Sequence, residues 1–141
     1  MRFIYIGSIL FLIMSKKKGT RLERELFHMF WEVGWAGLRV AGSGSTTLPA
    51  PDLLVGNGKK LFAIECKSGK GRREIKKEQV EELKTFSKLF GAEAWVGVRF
   101  DNMPWHFLEI KNIGKSKGRN YFVDPKLVEK RGMKFEELIG K

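Results

Sequence analysis

The sequence has few of the residues that build covalent or soft-metal frameworks. One cysteine, Cys66, stands among 141 residues. That excludes an intrachain disulfide and a cysteine zinc cluster, and it fits a reducing cytosol. The two histidines, His28 and His106, lie far apart with no second ligand at motif spacing. Each therefore reads as an ordinary helix or strand residue. Negative charge is scarce too: 16 Asp and Glu face 27 Lys and Arg, a formal net charge of +11. Such an excess points to a polyanionic partner, either nucleic acid or an anionic membrane surface. A thermophilic Lys/Glu-rich surface would balance its signs. Long apolar runs are also missing. The stretch Phe3 to Met14, interrupted by Gly7 and Ser8, is shorter than the ~20 residues a membrane helix needs. It could serve as a signal-peptide core, but SKKKGT follows it instead of an A-x-A-like cleavage site. We expect residues 1–13 to be an extension from a misassigned start, the domain to run over 14–141, and the setting to be cytoplasmic, with no membrane partner.

What is present suits one globular domain. Hydrophobic residues make up 43%, enough for a core at this length, and no internal repeat or second domain is visible. Thr20 and Glu23 fit a capping box opening the first helix. Leu22, Leu26, Met29, Phe30 and Val33 give it one apolar stripe, and Gly34 ends it. A short strand is expected over Ala36 to Gly42, and a Gly/Ser/Thr/Pro loop over Gly42 to Pro51. Asp52 to Val55 and Leu61 to Lys67 read as strands joined by the hairpin turn GNGKK. Ser68 to Lys77 reads as a basic loop, and Glu78 to Phe90 as a second helix stopped by Gly91. Two further strands follow, Glu93 to Phe100 and Trp105 to Ile110. A basic loop, the extended piece YFVD and a small helix at Phe135 to Ile139 complete the chain. The order α-β-β-β-α-β-β implies an α/β fold: a single mixed five-stranded sheet flanked by helices, with the second helix as a parallel crossover.

The chemistry concentrates in PDLLVGNGKKLFAIECK, Pro51 to Lys67. Strand side chains alternate faces, so Leu61, Ala63, Glu65 and Lys67 share one face, and Phe62, Ile64 and Cys66 the other. A carboxylate and an ammonium at the end of a buried strand are costly to desolvate unless paired. A salt bridge between Glu65 and Lys67 is the simplest account. The hairpin, however, sets Asp52 beside them. Two adjacent carboxylates raise at least one pKa, and a hard divalent cation relieves the conflict. Mg²⁺ takes oxygen ligands from one or two carboxylates plus a substrate phosphate. The Cys66 carbonyl could add another oxygen. A metal here can activate water and polarise a phosphodiester, while Lys67 can orient the water or stabilise developing charge.

These residues carry a resemblance. PD…ECK resembles the PD-(D/E)XK nuclease motif, and the pattern from Lys18 through Phe100, with KG-x-x-x-ERE, RVAGSGS, PDLL and IECK, resembles the archaeal Holliday junction resolvases. The resemblance implies a restriction-endonuclease-like fold and a homodimeric endonuclease that cuts four-way DNA junctions with Mg²⁺, for which Mn²⁺ could substitute, in recombination and repair. It implies that Glu23, Asp52 and Glu65 are metal-binding acids, with Cys66 as a main-chain ligand and Lys67 as the catalytic lysine. It places Arg24, Arg39, Ser43 and Ser45 on DNA. Glu23 keeps a structural alternative in its capping position.

Arg72, Arg73 and Lys76 follow the ECK strand, where phosphate contact needs only charge and reach. Phe86, Leu89 and Phe90 lie on a helix whose apolar arc is broad enough to face both its sheet and a partner, so they are expected at a dimer interface. The sliding clamp, a partner within the family, has no evident binding box at this C-terminus. Two other readings stay open: a related nuclease acting on other branched or linear DNA, and a non-catalytic DNA-binding protein whose charged cluster is only structural.

Overall fold

The computed structural model describes the backbone of residues 2–40 and 48–140, and the side chains of residues 17–40 and 48–140. In chain order the elements begin with helix α1 (Arg2–Glu32), strands β1 (Ala36–Arg39), β2 (Leu53–Gly56), β3 (Leu61–Gly69) and β4 (Arg73–Ile75), and helix α2 (Lys77–Phe90). Strands β5 (Glu93–Phe100) and β6 (His106–Glu109) lead into a short 3-10 turn at Ile110–Asn112. Then come β7 (Gly114–Lys115), β8 (Tyr121–Val123), α3 (Pro125–Arg131), β9 (Met133–Lys134) and α4 (Phe135–Ile139).

Among the described residues the main sheet has six strands in the order β1-β2-β3-β5-β6-β9, and a second sheet has three, β4-β8-β7. The α/β class with a mixed sheet and flanking helices holds; the strand count is corrected. The extra main-sheet strand, β9, pairs only His106 with Lys134 and Phe107 with Met133, too short for a periodic signal. The second sheet forms because Arg73–Ile75 pairs with Tyr121–Val123, so the segment expected as a basic loop is partly strand.

Local chemistry accounts for the central hairpin. The Asn57 side-chain oxygen accepts from the Lys59 and Lys60 amides at 2.9 and 2.7 Å, and Gly58 takes a left-handed φ of 91°, which favours glycine. This sets β2 antiparallel to β3, with Leu53 opposite Ile64 and Gly56 opposite Leu61. Helix α2 then carries the chain back so that β5 runs parallel to β3, as a crossover must. Its end is the expected one: Gly91 is left-handed at φ 82° and its amide donates to the Ser87 carbonyl.

Two apolar layers cover the main sheet. Leu22, Leu26 and Phe30 of α1 pack with Leu53, Phe62, Ile64 and Trp95. On the other face Val80 of α2 joins Val96, Val98, Leu108, Val123 and Val128. The alternation read for β3 holds, since Phe62 and Ile64 belong to the α1 layer with Cys66 packed against it.

Three local expectations are corrected. Helix α1 runs unbroken from Arg2, so Thr20 is interior and forms no cap, because nothing before it stops the backbone ladder. Val33 is exposed, since the helix ends at Glu32 and the stripe ends with it. Helix α3 has no counterpart among the expected elements, although it opens with a plain signal: Asp124 caps it, its side chain accepting from the Leu127 amide at 2.8 Å, and Pro125 follows at the first helical position.

Candidate active site

The site grows from a difference in strand length. β2 pairs with β3 no further than Leu53 opposite Ile64, yet β3 continues to Gly69 with β5 on its other side. Among the described residues, no strand pairs with that edge of β3 beyond Ile64. Asp52 occupies that corner. Its amide donates to the Ile64 carbonyl at 3.1 Å, and its carbonyl accepts from the Val40 amide at 3.0 Å, so its backbone is held between β3 and the end of β1. Its side chain then takes the place of the missing strand, accepting from the Cys66 amide at 2.8 Å. The amide and carbonyl of one strand residue face the same neighbour, so the Cys66 carbonyl faces the same open corner.

Glu65 and Lys67 pair in parallel register with Val96 and Val98, which sets them on the α2 face of the sheet. They sit 3.8 Å apart, both largely buried. Glu23 comes from the other layer, on α1. Arg39 lies opposite Leu53 and so shares the α1 face, where its guanidinium stands 3.9 Å from Glu23. The two faces meet because the sheet stops beside β3. The helical run that replaces the expected cap leaves Glu23 free of capping duty, and its charge is felt at this corner.

The electrostatics follow from crowding acids out of water. Burial first, then the Asp52 charge, pushes the Glu65 carboxyl up to about 8 against the pull of Lys67, and a hydrogen bond with Asp52 adds to the rise. Glu23 is raised to about 7, again by burial first and Asp52 second, with Arg39 opposing. The Cys66 thiol is pushed well above its usual range by burial and the same three acids. Asp52 itself is only 9% exposed. Among the described residues no three His, Cys, Asp or Glu side chains close into a metal cage. Mg²⁺ needs none, since it keeps waters and binds through one or two carboxylates with substrate phosphate. Asp52, Glu65 and an outward carbonyl form an oxygen donor set that fits such an ion.

The other sequence-derived residues divide. Arg24 is exposed on α1. Ser43 and Ser45 lie outside the described residues. Arg72 is tied down: it is 3.2 Å from Glu74, donates to Ser116 at 3.1 Å and lies 3.7 Å over the Phe122 ring. Arg73 turns back to donate to the Ser68 carbonyl. Lys76 is exposed at the start of α2. On α2, Leu89 is 83% and Phe90 53% exposed, while Phe86 stacks on Phe90 at 5.2 Å. The reading missed the cations of α3, Lys126, Lys130 and Arg131, and the Asp124-Pro125 start would have found their helix.

The family model described as archaeal Holliday junction resolvase (hjc) matches residues 14–141. The chain belongs to the archaeal Holliday junction resolvase family. A Crossover junction endodeoxyribonuclease Hjc of Archaeoglobus fulgidus is 38% identical to this resolvase-family chain over 130 residues, covering 89% of this chain and 92% of the relative. The Hjc of Sulfolobus acidocaldarius is 33% identical over 128 residues, covering 89% and 88%. In structure, the chain is similar to A. fulgidus Hjc, described as a Holliday junction resolvase from an archaeal hyperthermophile, with TM-score 0.77 and 33% identity, over 85% of this chain and 98% of that one. Among the described residues no helix of this family member is long and apolar enough to cross a membrane.

Proposed function

We propose that this protein is a junction-resolving endodeoxyribonuclease, acting in the cytoplasm as a homodimer on four-way DNA in recombination and repair. The observation that carries the reading is the corner where Asp52 replaces a strand beside β3, collecting Glu65, Lys67 and the charge of Glu23. Asp52, Glu65 and the Cys66 carbonyl would hold Mg²⁺ or Mn²⁺, with Glu23 alongside. Bound there, the ion supplies a water of lowered pKa and polarises the phosphodiester. Lys67, held within 3.8 Å of Glu65, presents its ammonium to the attacking water or to charge developing on the phosphoryl oxygens. Arg39 sits at the same corner, within reach of a neighbouring phosphate. The exposed Leu89 and Phe90, with Phe86 stacked behind, suit a second copy. A two-fold dimer meets the two equivalent strands of a junction with two equivalent sites.

The test is cleavage of a synthetic immobile four-way junction, with linear duplex as control, in Mg²⁺ and in EDTA. Paired symmetric nicks that need the metal and vanish in Asp52→Asn support the reading. Equal cutting of duplex would redirect it to another DNA substrate, and tight junction binding without cleavage would leave the charged corner as structure only.

A further inference from the structure

A second charged region lies on the opposite side of the sheet order from β1. β6 is two strands from β3, about 10 Å across at the usual strand spacing. Next to it the 3-10 turn, β7, β8 and α3 enclose an open cleft of about 560 Å³. Its charged lining is Lys111, Lys115, Lys126, Lys130 and Arg131 against one acid, Asp124. That acid is engaged in capping α3. The floor is apolar, from Ile113, Phe122 and Leu127. Phe122 packs against Gly114, where an added Cβ would meet the ring at 2.4 Å, so a larger residue there would push the ring aside.

The charges here have little internal reason to be where they are. Lys111 is 3.2 Å from Glu109, but among the described residues no carboxylate comes within ion-pair distance of Lys126, Lys130 or Arg131. Lys126 and Lys130 are four apart on one helix, an arrangement of like charges that weakens a helix. Cations in the last turn complement the helix dipole, which accounts for Lys130 and Arg131. Lys126 is in the first turn, where the dipole disfavours it. Lys115 comes from a different element and faces the same space. By contrast, Arg72, which lies over the Phe122 ring next to this cleft, is already matched by Glu74. A solvated surface would have no reason to gather cations without an acid partner from two elements, β7 and α3, around a concave floor.

We infer that this cleft takes the phosphodiester backbone of a DNA arm, away from the strand being cut. The inference rests on the proposed junction substrate and extends it by assigning where an arm is held. Phosphate oxygens need charge and reach, with no base readout, and the apolar floor carries the lysine stems while their ammonium groups meet the phosphates. Each neutralised phosphate releases counterions, so contacts made here appear in the salt dependence of binding.

The test is the full-length triple variant Lys115→Gln, Lys126→Gln, Lys130→Gln, with Lys126→Arg, Lys130→Arg as the charge-conserving control. Binding to long-armed four-way junctions and to junctions trimmed toward the branch point is measured in EDTA over a salt series. Relative to wild type in the same titration, the triple variant is expected to flatten the slope of log K against log salt by about 5 for a dimer using both clefts, roughly 2 to 3 for each cleft engaged. It should lose roughly tenfold or more in affinity for long arms at low salt, bind trimmed junctions within about twofold, and cut at saturating protein at an unchanged rate. The arginine control keeps the wild-type slope. A triple variant with wild-type slope and long-arm affinity overturns the inference. So does an unchanged DNA slope with lost binding to poly-glutamate, which would reassign the cleft to an acidic protein partner. Wild type failing to bind junctions at all would instead count against the proposed substrate.

Discussion

The catalytic corner and the α3 cleft are opposite solutions to placing charge. At the corner, acids from α1, the start of β2 and β3 are packed largely out of water. Burial and mutual repulsion hold Glu65 and Glu23 at about 8 and about 7. At the cleft, cations from three elements stand in water, and among the described residues only Lys111 pairs with an acid. The first region is strained until a cation arrives. The second is comfortable in solvent and gains only from a polyanion. The comparison separates cutting from holding: a change at the corner should abolish chemistry and spare binding, and a change at the cleft should do the reverse.

The sharpest way to break that separation is Asp52→Asn. Removing a charged ligand and weakening the acceptor for the Cys66 amide should lower metal-dependent cleavage by on the order of 10³-fold or more, with junction affinity in EDTA within about twofold. A large loss of affinity would show that the corner holds as well as cuts. Lys67→Ala should cost roughly 10²-fold in single-turnover rate, and Lys67→Arg should restore part of it; full activity of the alanine variant would remove Lys67 from the chemistry.

The strain at the corner can be read by pH. A carboxyl whose folded pKa is raised favours the folded state fully below its unfolded value, near 4.5, and loses that contribution as pH climbs through the folded value. For Glu65 and Glu23 the window runs from about 4.5 up to about 8 and about 7. In EDTA the thermal midpoint should therefore fall as pH rises from 5 to 9, by an amount on the order of a few kcal/mol in stability. Glu65→Gln should flatten the curve. Mg²⁺ should stabilise at pH 8.5 and do little at pH 5, because only the ionised acids bind it. A pH-independent midpoint would mean that the acids are well solvated.

Two smaller effects refine the picture. The double substitution Leu89→Glu, Phe90→Glu should shift the mass seen by light scattering from dimer to monomer while changing the stability of the isolated fold by less than about 1 kcal/mol, since both residues are exposed. An unchanged mass would move the interface elsewhere. Smallest of all, Arg72→Ala should weaken junction binding by no more than about threefold, because its charge is matched by Glu74 and an exposed pair contributes ~1 kcal/mol or less. A loss equal to that of the cleft variant would erase the distinction between matched and unmatched cations.

Sequence alone determined a good deal here, wherever the signal was local. Alternation along Leu61 to Lys67 placed Glu65 and Lys67 on one face, Asn57-Gly58 marked the turn that brings Asp52 back to them, and Gly91 marked the end of α2. Each depends on a few adjacent residues and a period of 2 or 3.6. The PD…ECK spacing and the resolvase-like pattern then named the chemistry. The tertiary structure decided what depends on distant partners. Thr20 has every feature of a cap yet lies inside a helix, because capping also requires the preceding residues to leave the helix, and they do not. The second sheet exists only because Arg73–Ile75 meets Tyr121–Val123, residues about fifty apart whose short runs carry no period of their own. The open corner itself comes from β3 outrunning β2, a fact of register between strands. Whether a basic residue is available to DNA was decided the same way, since Arg72 and Lys126 each stand two residues from an acid, but Glu74 pairs with Arg72 while Asp124 turns to cap α3.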